Sequence, residues 1–328
     1  MVPGPWVREM SGPAHSGGPA LEKTFRRKVT LANEVGFCFG VKRAINVTSD
    51  QLDRGKEVFI LGDLVHNKRV TDELEARGLR KTTDLNGEST GTMVIRAHGL
   101  PRAQVAEARE RGLEIVDATC PIVLRAQEAA RTLEKRGCQV VIIGDRNHAE
   151  IKGILGVLES PALVIDSLEE LREAKRTHRL LRKVGVIFQT THALELCKEI
   201  MNELIFLCKE IQVINTICRP VQNRQDNALD LAEEVDLMIV VGSRTSANTM
   251  ELAALCRHHN PYTLHIQDAD ELAVEDFDWA AHVGIASGLS TPEDLVCGVR
   301  EKIESYDGPQ RPEHRPDPAR YLHAGAQH

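Results

Sequence analysis

Aromatic side chains are scarce in this chain: Phe, Trp and Tyr make up only 4% of its 328 residues. The core must then be filled mainly by Val, Ile, Leu and Ala, and a base-stacking surface for single-stranded nucleic acid is disfavoured. A basic excess is missing too. The formal net charge is −7, whereas binding to a phosphate backbone needs clustered Lys and Arg. No nucleic-acid partner is expected. No run approaches the ~18 apolar residues of a membrane span, so no membrane partner is expected. Met1 to Ala20 holds four prolines and four glycines but no apolar stretch, which does not read as a secretory signal. The expected localisation is cytoplasmic.

Closely spaced cysteine pairs are absent as well. The eight cysteines (Cys38, Cys120, Cys138, Cys197, Cys208, Cys218, Cys256 and Cys297) include no C-x2-C run. That disfavours structural zinc and closed four-cysteine clusters. In a long chain without dense cysteine spacing, reduced thiols are the better reading than a disulfide framework. Eight of the 14 prolines lie in the two ends, so residues 1–27 and 307–328 are expected to be disordered.

Between those ends the chain alternates short aliphatic runs with amphipathic ones. Leu113 to Val116 reads as a strand, Cys120 sits on the turn, and Pro121 opens a helix at a position where its missing N–H costs nothing. A thiol at a helix N-terminus is biased towards thiolate. The same programme occurs three times. In each copy 24 residues separate a cysteine from a strand-ending glycine: Cys38 and Gly62, Cys120 and Gly144, Cys218 and Gly242. Four residues beyond each glycine stand His66, His148 and Ser246. A later strand in each copy ends at His98, Thr190 or Ser290.

This self-similarity predicts three related α/β units, 28–117, 118–212 and 213–306, each with a mainly parallel sheet and its functional edge at the strand C-terminal ends. Packed as a pseudo-threefold cloverleaf, they bring the three cysteine turns to one centre.

Three converging thiolates without a fourth suit a [4Fe–4S] cluster with one iron not ligated by cysteine. The plainer alternative is three buried structural thiols. The remaining cysteines read as packing; Cys197 and Cys208 fall on one helical face. His66, His98 and His148 with Ser246, Asn248, Thr190, Thr191 and Ser290 form a donor set suited to phosphate oxygens near helix N-termini. Singly, each histidine is more simply an ordinary hydrogen-bonded residue. Glu150 is out of place for anion binding but suits proton delivery if a dry site raises its pKa. Otherwise it is a solvated glutamate at a helix start.

Taken together, Gly-Phe-Cys-Phe-Gly-Val (36–41), Val-His-Asn (65–67), Ala-His-Gly (97–99), Asp-Ala-Thr-Cys-Pro (117–121), His-Ala-Glu (148–150), Gln-Thr-Thr (189–191), Thr-Ile-Cys (216–218) and Ser-Ala-Asn (246–248) resemble the 4-hydroxy-3-methylbut-2-enyl diphosphate reductase family. That family performs the last step of the methylerythritol phosphate route to isoprenoids. The resemblance covers Val29 to Ile303 and implies a cloverleaf around a [4Fe–4S] cluster with Cys38, Cys120 and Cys218 as ligands. It implies diphosphate contacts at His66, His98, His148, Ser246, Asn248 and Ser290, a proton-relay acid at Glu150, and a hydroxyl at Thr190 that orders the substrate alcohol. The implied substrate is a small allylic diphosphate, and the implied electron donor a ferredoxin or flavodoxin. Ala247, Met250-Glu251 and Ala149 depart from the family pattern, and Thr249 is the residue placed to replace the hydroxyl missing at Ala247.

Overall fold

The first strand, β1 (Lys28–Leu31), joins a sheet formed by the far end of the chain. It pairs in parallel with β12 (His282–Ser287), Lys28 facing His282, so the chain's opening segment completes the sheet of the last unit. The computed structural model that shows this describes residues 25–65, 67–87 and 90–323. The expected boundary at residue 28 is therefore corrected. β1 belongs to the third unit, because the edge it fills is on that sheet.

After β1 the first unit follows: α1 (Phe39–Asp53), β2 (Val58–Leu61), α2 (Lys68–Ala76), β3 (Leu79–Thr82), β4 (Thr92–Ile95), α3 (Arg102–Glu110) and β5 (Glu114–Asp117). The second contains α4 (Pro121–Lys135), β6 (Gln139–Ile143), α5 (Ala149–Leu155), β7 (Leu163–Ile165), α6 (Leu168–Arg176), β8 (Lys183–Phe188), α7 (Leu194–Leu207) and β9 (Glu210–Val213). The third contains α8 (Arg219–Glu234), β10 (Leu237–Val241), α9 (Ala247–His259), β11 (Thr263–Ile266), α10 (Val274–Phe277), β12 and α11 (Glu293–Glu304).

The strand orders are β5-β4-β2-β3, β9-β8-β6-β7 and β1-β12-β10-β11, which is one order repeated three times. Among the described residues every pairing is parallel. Parallel central strands are buried on both faces, and alternate residues supply the two cores. In β10, Leu237, Ile239 and Val241 enter one apolar cluster, while Met238 and Val240 enter another. β6 does the same with Val141 and Ile143 against Val140 and Ile142.

The backbone explains the constant spacing from cysteine to glycine. Each cysteine precedes a helix of 15 or 16 residues, which returns the chain to a short central strand. The glycine after that strand makes the same bond in each unit: Gly62 N–H to Thr82 O, Gly144 N–H to Ile165 O and Gly242 N–H to Ile266 O, all at 2.9 Å. One alignment shifts. The residue capping the next helix is His148 in the second unit and Ser246 in the third, but Asn67 in the first. His66 is thus offset by one from its expected counterparts, and it lies outside the described residues.

Neither end is as expected where it is described. Arg27 is buried, donating to the carbonyls of Phe277, Asp278, Gly308 and Pro309, with its guanidinium 4.7 Å from the Tyr306 ring. Residues 307–323 run back over the third unit and end in α12 (Ala319–His323). There Tyr321 is 1% exposed, donates to Asp276 O at 3.0 Å and accepts from Trp279 Nε1 at 3.3 Å. Arg315 covers the Tyr262 ring at 4.1 Å. The scarce aromatics are concentrated here, which is why a Pro-rich tail can stay ordered. Residues 1–24 and 324–328 lie outside the described residues. Tyr321→Ala is expected to lower unfolding stability by about 3 kcal/mol. Urea unfolding read by tryptophan fluorescence checks this, and an unchanged midpoint would mean the tail is not part of the fold.

Candidate active site

All three repeated cysteines are helix N-caps: Cys38 for α1, Cys120 for α4 and Cys218 for α8. Each follows the edge strand of one sheet and opens a helix of the next unit, so the three turns link the units cyclically. Each cysteine N–H is fixed to the loop after the neighbouring strand. Cys38 donates to Leu289 O at 3.0 Å, Cys120 to Ala97 O at 2.9 Å and Cys218 to Thr190 O at 2.8 Å. These acceptors adjoin, or are, the predicted polar residues Ser290, His98 and Thr190.

The result is one cavity at the meeting point of the three units, with a volume of ≈ 760 Å³ when its open mouth is included. Its lining brings together Cys38, Cys120 and Cys218 with His98, His148, Glu150, Thr190, Thr191, Ser246, Asn248 and Ser290. Every predicted site residue that is described is present. Apolar walls come from Val41, Val65, Ile122, Val123, Val221 and Leu289.

Glu150 is 1% exposed. Its Oε1 accepts from the Thr190 backbone N–H and its Oε2 pairs with the Thr190 hydroxyl, both at 2.7 Å. Burial pushes its carboxyl up to about 7, and the two Thr190 contacts only partly oppose this. The solvated-glutamate reading is therefore wrong for this side chain. His148 Nδ1 accepts from Glu150 N–H at 3.2 Å, which leaves the neutral imidazole's proton on Nε2. The His98 and His148 rings meet edge to face at 5.4 Å. Ser246 caps α9 by accepting from Thr249 N–H at 3.4 Å, and the Ser290 hydroxyl lies 3.5 Å from the Ser246 hydroxyl.

The thiols differ from expectation. Burial pushes Cys218 up to about 11 and raises Cys38 as well, outweighing the α1 and α8 amide N–H groups that favour thiolate. Without a cation these two thiols keep their protons. No group of three or more His, Cys, Asp or Glu side chains closes around a single metal ion among the described residues.

The donor set nevertheless fits a larger inorganic group. Three thiols face one mostly apolar space, and a cluster of several irons spaces its thiolates more widely than one ion does. Gly40 keeps that space open. A Cβ there would lie 2.8 Å from Cys120 Sγ and 4.0 Å from Cys38 Sγ. Cys197 and Cys256 are buried elsewhere, their thiols pushed up to about 12 by burial, and are chemically quiet.

Two departures from the expected pattern resolve structurally. Ala247 lines the cavity, but Thr249 does not replace its missing hydroxyl. Thr249 is fully buried, with its hydroxyl packed against Gly242 and Gly288. Glu251 is not on the cavity wall; burial and Asp166 of the second unit push it up to about 7.

Sequence reasoning missed Gly40, Arg43 and Arg224. Arg43 donates to Asp117 O and Thr119 O, both at 3.1 Å, and so holds the Cys120 turn. The partners of Arg224 are up to 188 residues distant, so no local spacing announces it.

Comparison with known proteins agrees with this architecture. The family model described as LytB protein matches residues 29–304. The chain is 41% identical over 284 residues to a 4-hydroxy-3-methylbut-2-enyl diphosphate reductase of Geobacter sulfurreducens, covering 87% of this chain and 99% of that one. A solved structure of (E)-4-hydroxy-3-methyl-but-2-enyl diphosphate reductase, described as the terminal enzyme of the non-mevalonate pathway, is 36% identical. It superposes with a TM-score of 0.65 over 85% of this chain and 100% of its own. A Plasmodium falciparum reductase structure, 24% identical, shares the fold at a TM-score of 0.79 over 91% of this chain and 98% of its own. The chain belongs to the LytB protein family.

Proposed function

We propose that this chain reduces (E)-4-hydroxy-3-methylbut-2-enyl diphosphate to isopentenyl and dimethylallyl diphosphate, by a two-electron, two-proton loss of the allylic hydroxyl as water. The observation that carries the reading is the meeting, in one cavity, of three N-cap thiols and a buried carboxyl that titrates near neutrality. Cys38, Cys120 and Cys218 would hold a [4Fe–4S] cluster, which supplies the electrons and, at the iron free of cysteine, Lewis-acid help to the breaking C–O bond.

The chain's own residues do the rest. Glu150 keeps a large protonated fraction at neutral pH and delivers the proton that the departing hydroxyl needs, with the Thr190 hydroxyl as its hydrogen-bonded relay. The Nε2–H of His148, with His98, Ser246, Asn248 and Ser290, supplies donors to the diphosphate oxygens. Ala247 leaves this grip one hydroxyl short of the family pattern. Val41, Val65, Ile122 and Leu289 exclude water beside the hydrocarbon. Gripping the diphosphate fixes the alcohol within reach of Glu150 and Thr190, which is the proximity contribution. A ferredoxin or flavodoxin would serve as electron donor.

The test is anaerobic reconstitution with iron and sulfide, followed by Mössbauer spectroscopy and turnover with reduced methyl viologen. One distinct iron that shifts on adding the substrate, with both products formed, is the expected result. Zinc in the site, or four equivalent irons, would overturn it. Turnover without electron consumption would reassign the site to a dehydratase.

A further inference from the structure

Arg224 is a buried cation in the wrong company for an ordinary structural arginine. It is 5% exposed and makes no ion pair among the described residues. Its Nη1 donates to three neutral carbonyls: Gly36 O at 2.8 Å, Gly288 O at 2.9 Å and Ser287 O at 3.3 Å. Its Nε is buried without a partner. The exposed carboxylate of Glu34 favours its charge, as a thiolate at Cys38 would, and burial outweighs both. An uncompensated guanidinium in this position is costly. A nearby anionic centre would offset that cost.

The three carbonyls are also particular. Gly36 lies on the Cys38 turn, and Ser287 with Gly288 leads to Ser290. The arginine itself stands on the helix that Cys218 opens. One nitrogen thus ties the Cys38 turn, and a loop that leads to the cavity lining, to the helix that Cys218 opens.

We propose that Arg224 is a positioning residue for the iron–sulfur centre: it holds the Cys38 turn in place and sets the centre's reduction potential through its unpaired charge. This rests on the cluster reading above. Cluster potentials respond to net charge, hydrogen bonding and exposure around the sulfurs. Removing a buried positive charge beside one ligand makes the added electron less welcome, so the potential moves negative. Loosening the Cys38 turn weakens retention of iron.

The experiment compares wild type, Arg224→Met and Arg224→Lys after anaerobic reconstitution, reading iron per chain, midpoint potential by a redox titration followed by electron paramagnetic resonance, and iron loss to a chelator. In Arg224→Met the potential is expected to shift negative and iron affinity to fall roughly 10- to 100-fold. Arg224→Lys keeps the charge but cannot span the carbonyls, so its potential stays near wild type while its iron is lost faster. Wild-type potential and iron retention in Arg224→Met would overturn the proposal. If Arg224→Met does not fold, a negative shift in Arg224→Lys overturns the charge argument by itself. Wild type that takes up no cluster overturns the parent reading, and this proposal with it; a loaded wild type with unaffected variants overturns this proposal alone.

Discussion

Glu150→Gln is expected to lose roughly 10²- to 10⁴-fold in turnover while keeping the wild-type cluster spectrum. The amide retains the size of the side chain and can still meet Thr190, whose N–H and hydroxyl are each 2.7 Å from the carboxylate. What it lacks is a transferable proton. Steady-state rates with reduced methyl viologen measure the loss, and retained turnover in a fully loaded variant would remove Glu150 from the mechanism.

The pH profile gives a second view of the same group. The acid form is the donor, so the wild-type rate should fall as pH rises through about 7, and this limb should be absent from the residual rate of Glu150→Gln. Stability carries the same sign. The folded-state pKa is raised from 4.5 to about 7, so the penalty for burying this carboxyl is absent below 4.5 and complete above about 7. For the apoprotein that amounts to about 3 kcal/mol lost across the interval.

Gly40→Ala should separate fold from centre. The added methyl would sit 2.8 Å from Cys120 Sγ, and nothing but that sulfur and its Cβ crowds it closely. In the apoprotein the sulfur can swing aside, and alanine in the first turn of α1 should leave stability unchanged or raise it by about 0.5–1 kcal/mol. With the thiolates held by iron it cannot swing, and iron affinity should drop by roughly 10- to 100-fold. Thermal melts of the apoprotein and iron content after reconstitution report the two effects separately. Full iron with a wild-type spectrum would show that the α1 N-terminus shifts freely.

The site was legible because its signal is local and repeated. A cysteine, one helix of fixed length and one short strand form a contiguous unit, so the spacing in sequence is the spacing in space. The same holds for Glu150, which sits two residues from His148. What stayed hidden depends on distant contacts. Four residues of β1 carry no mark of which sheet they will join, and the tail's order depends on Tyr321 finding Trp279, 42 residues earlier. Thiol protonation was misjudged for a related reason. The helix N-terminus is visible in sequence, but the burial that outweighs it at Cys218 is created by all three units together. His66 was matched by counting, whereas the cap at Asn67 shows one extra residue in that loop.

The placement of β1 also imposes an order in time. Thr30 meets His282 across 252 residues, so the strand before Cys38 has no partner until nearly all of the chain has been made. At about 5–20 residues per second that wait lasts roughly 10–50 s. Until then Leu289 is missing, and Arg224 lacks the Ser287 and Gly288 carbonyls that it bridges to the Cys38 turn. A nascent chain can fold its second unit and much of its first, but it cannot present three thiols to one cavity. Loading the centre is therefore a step that follows synthesis.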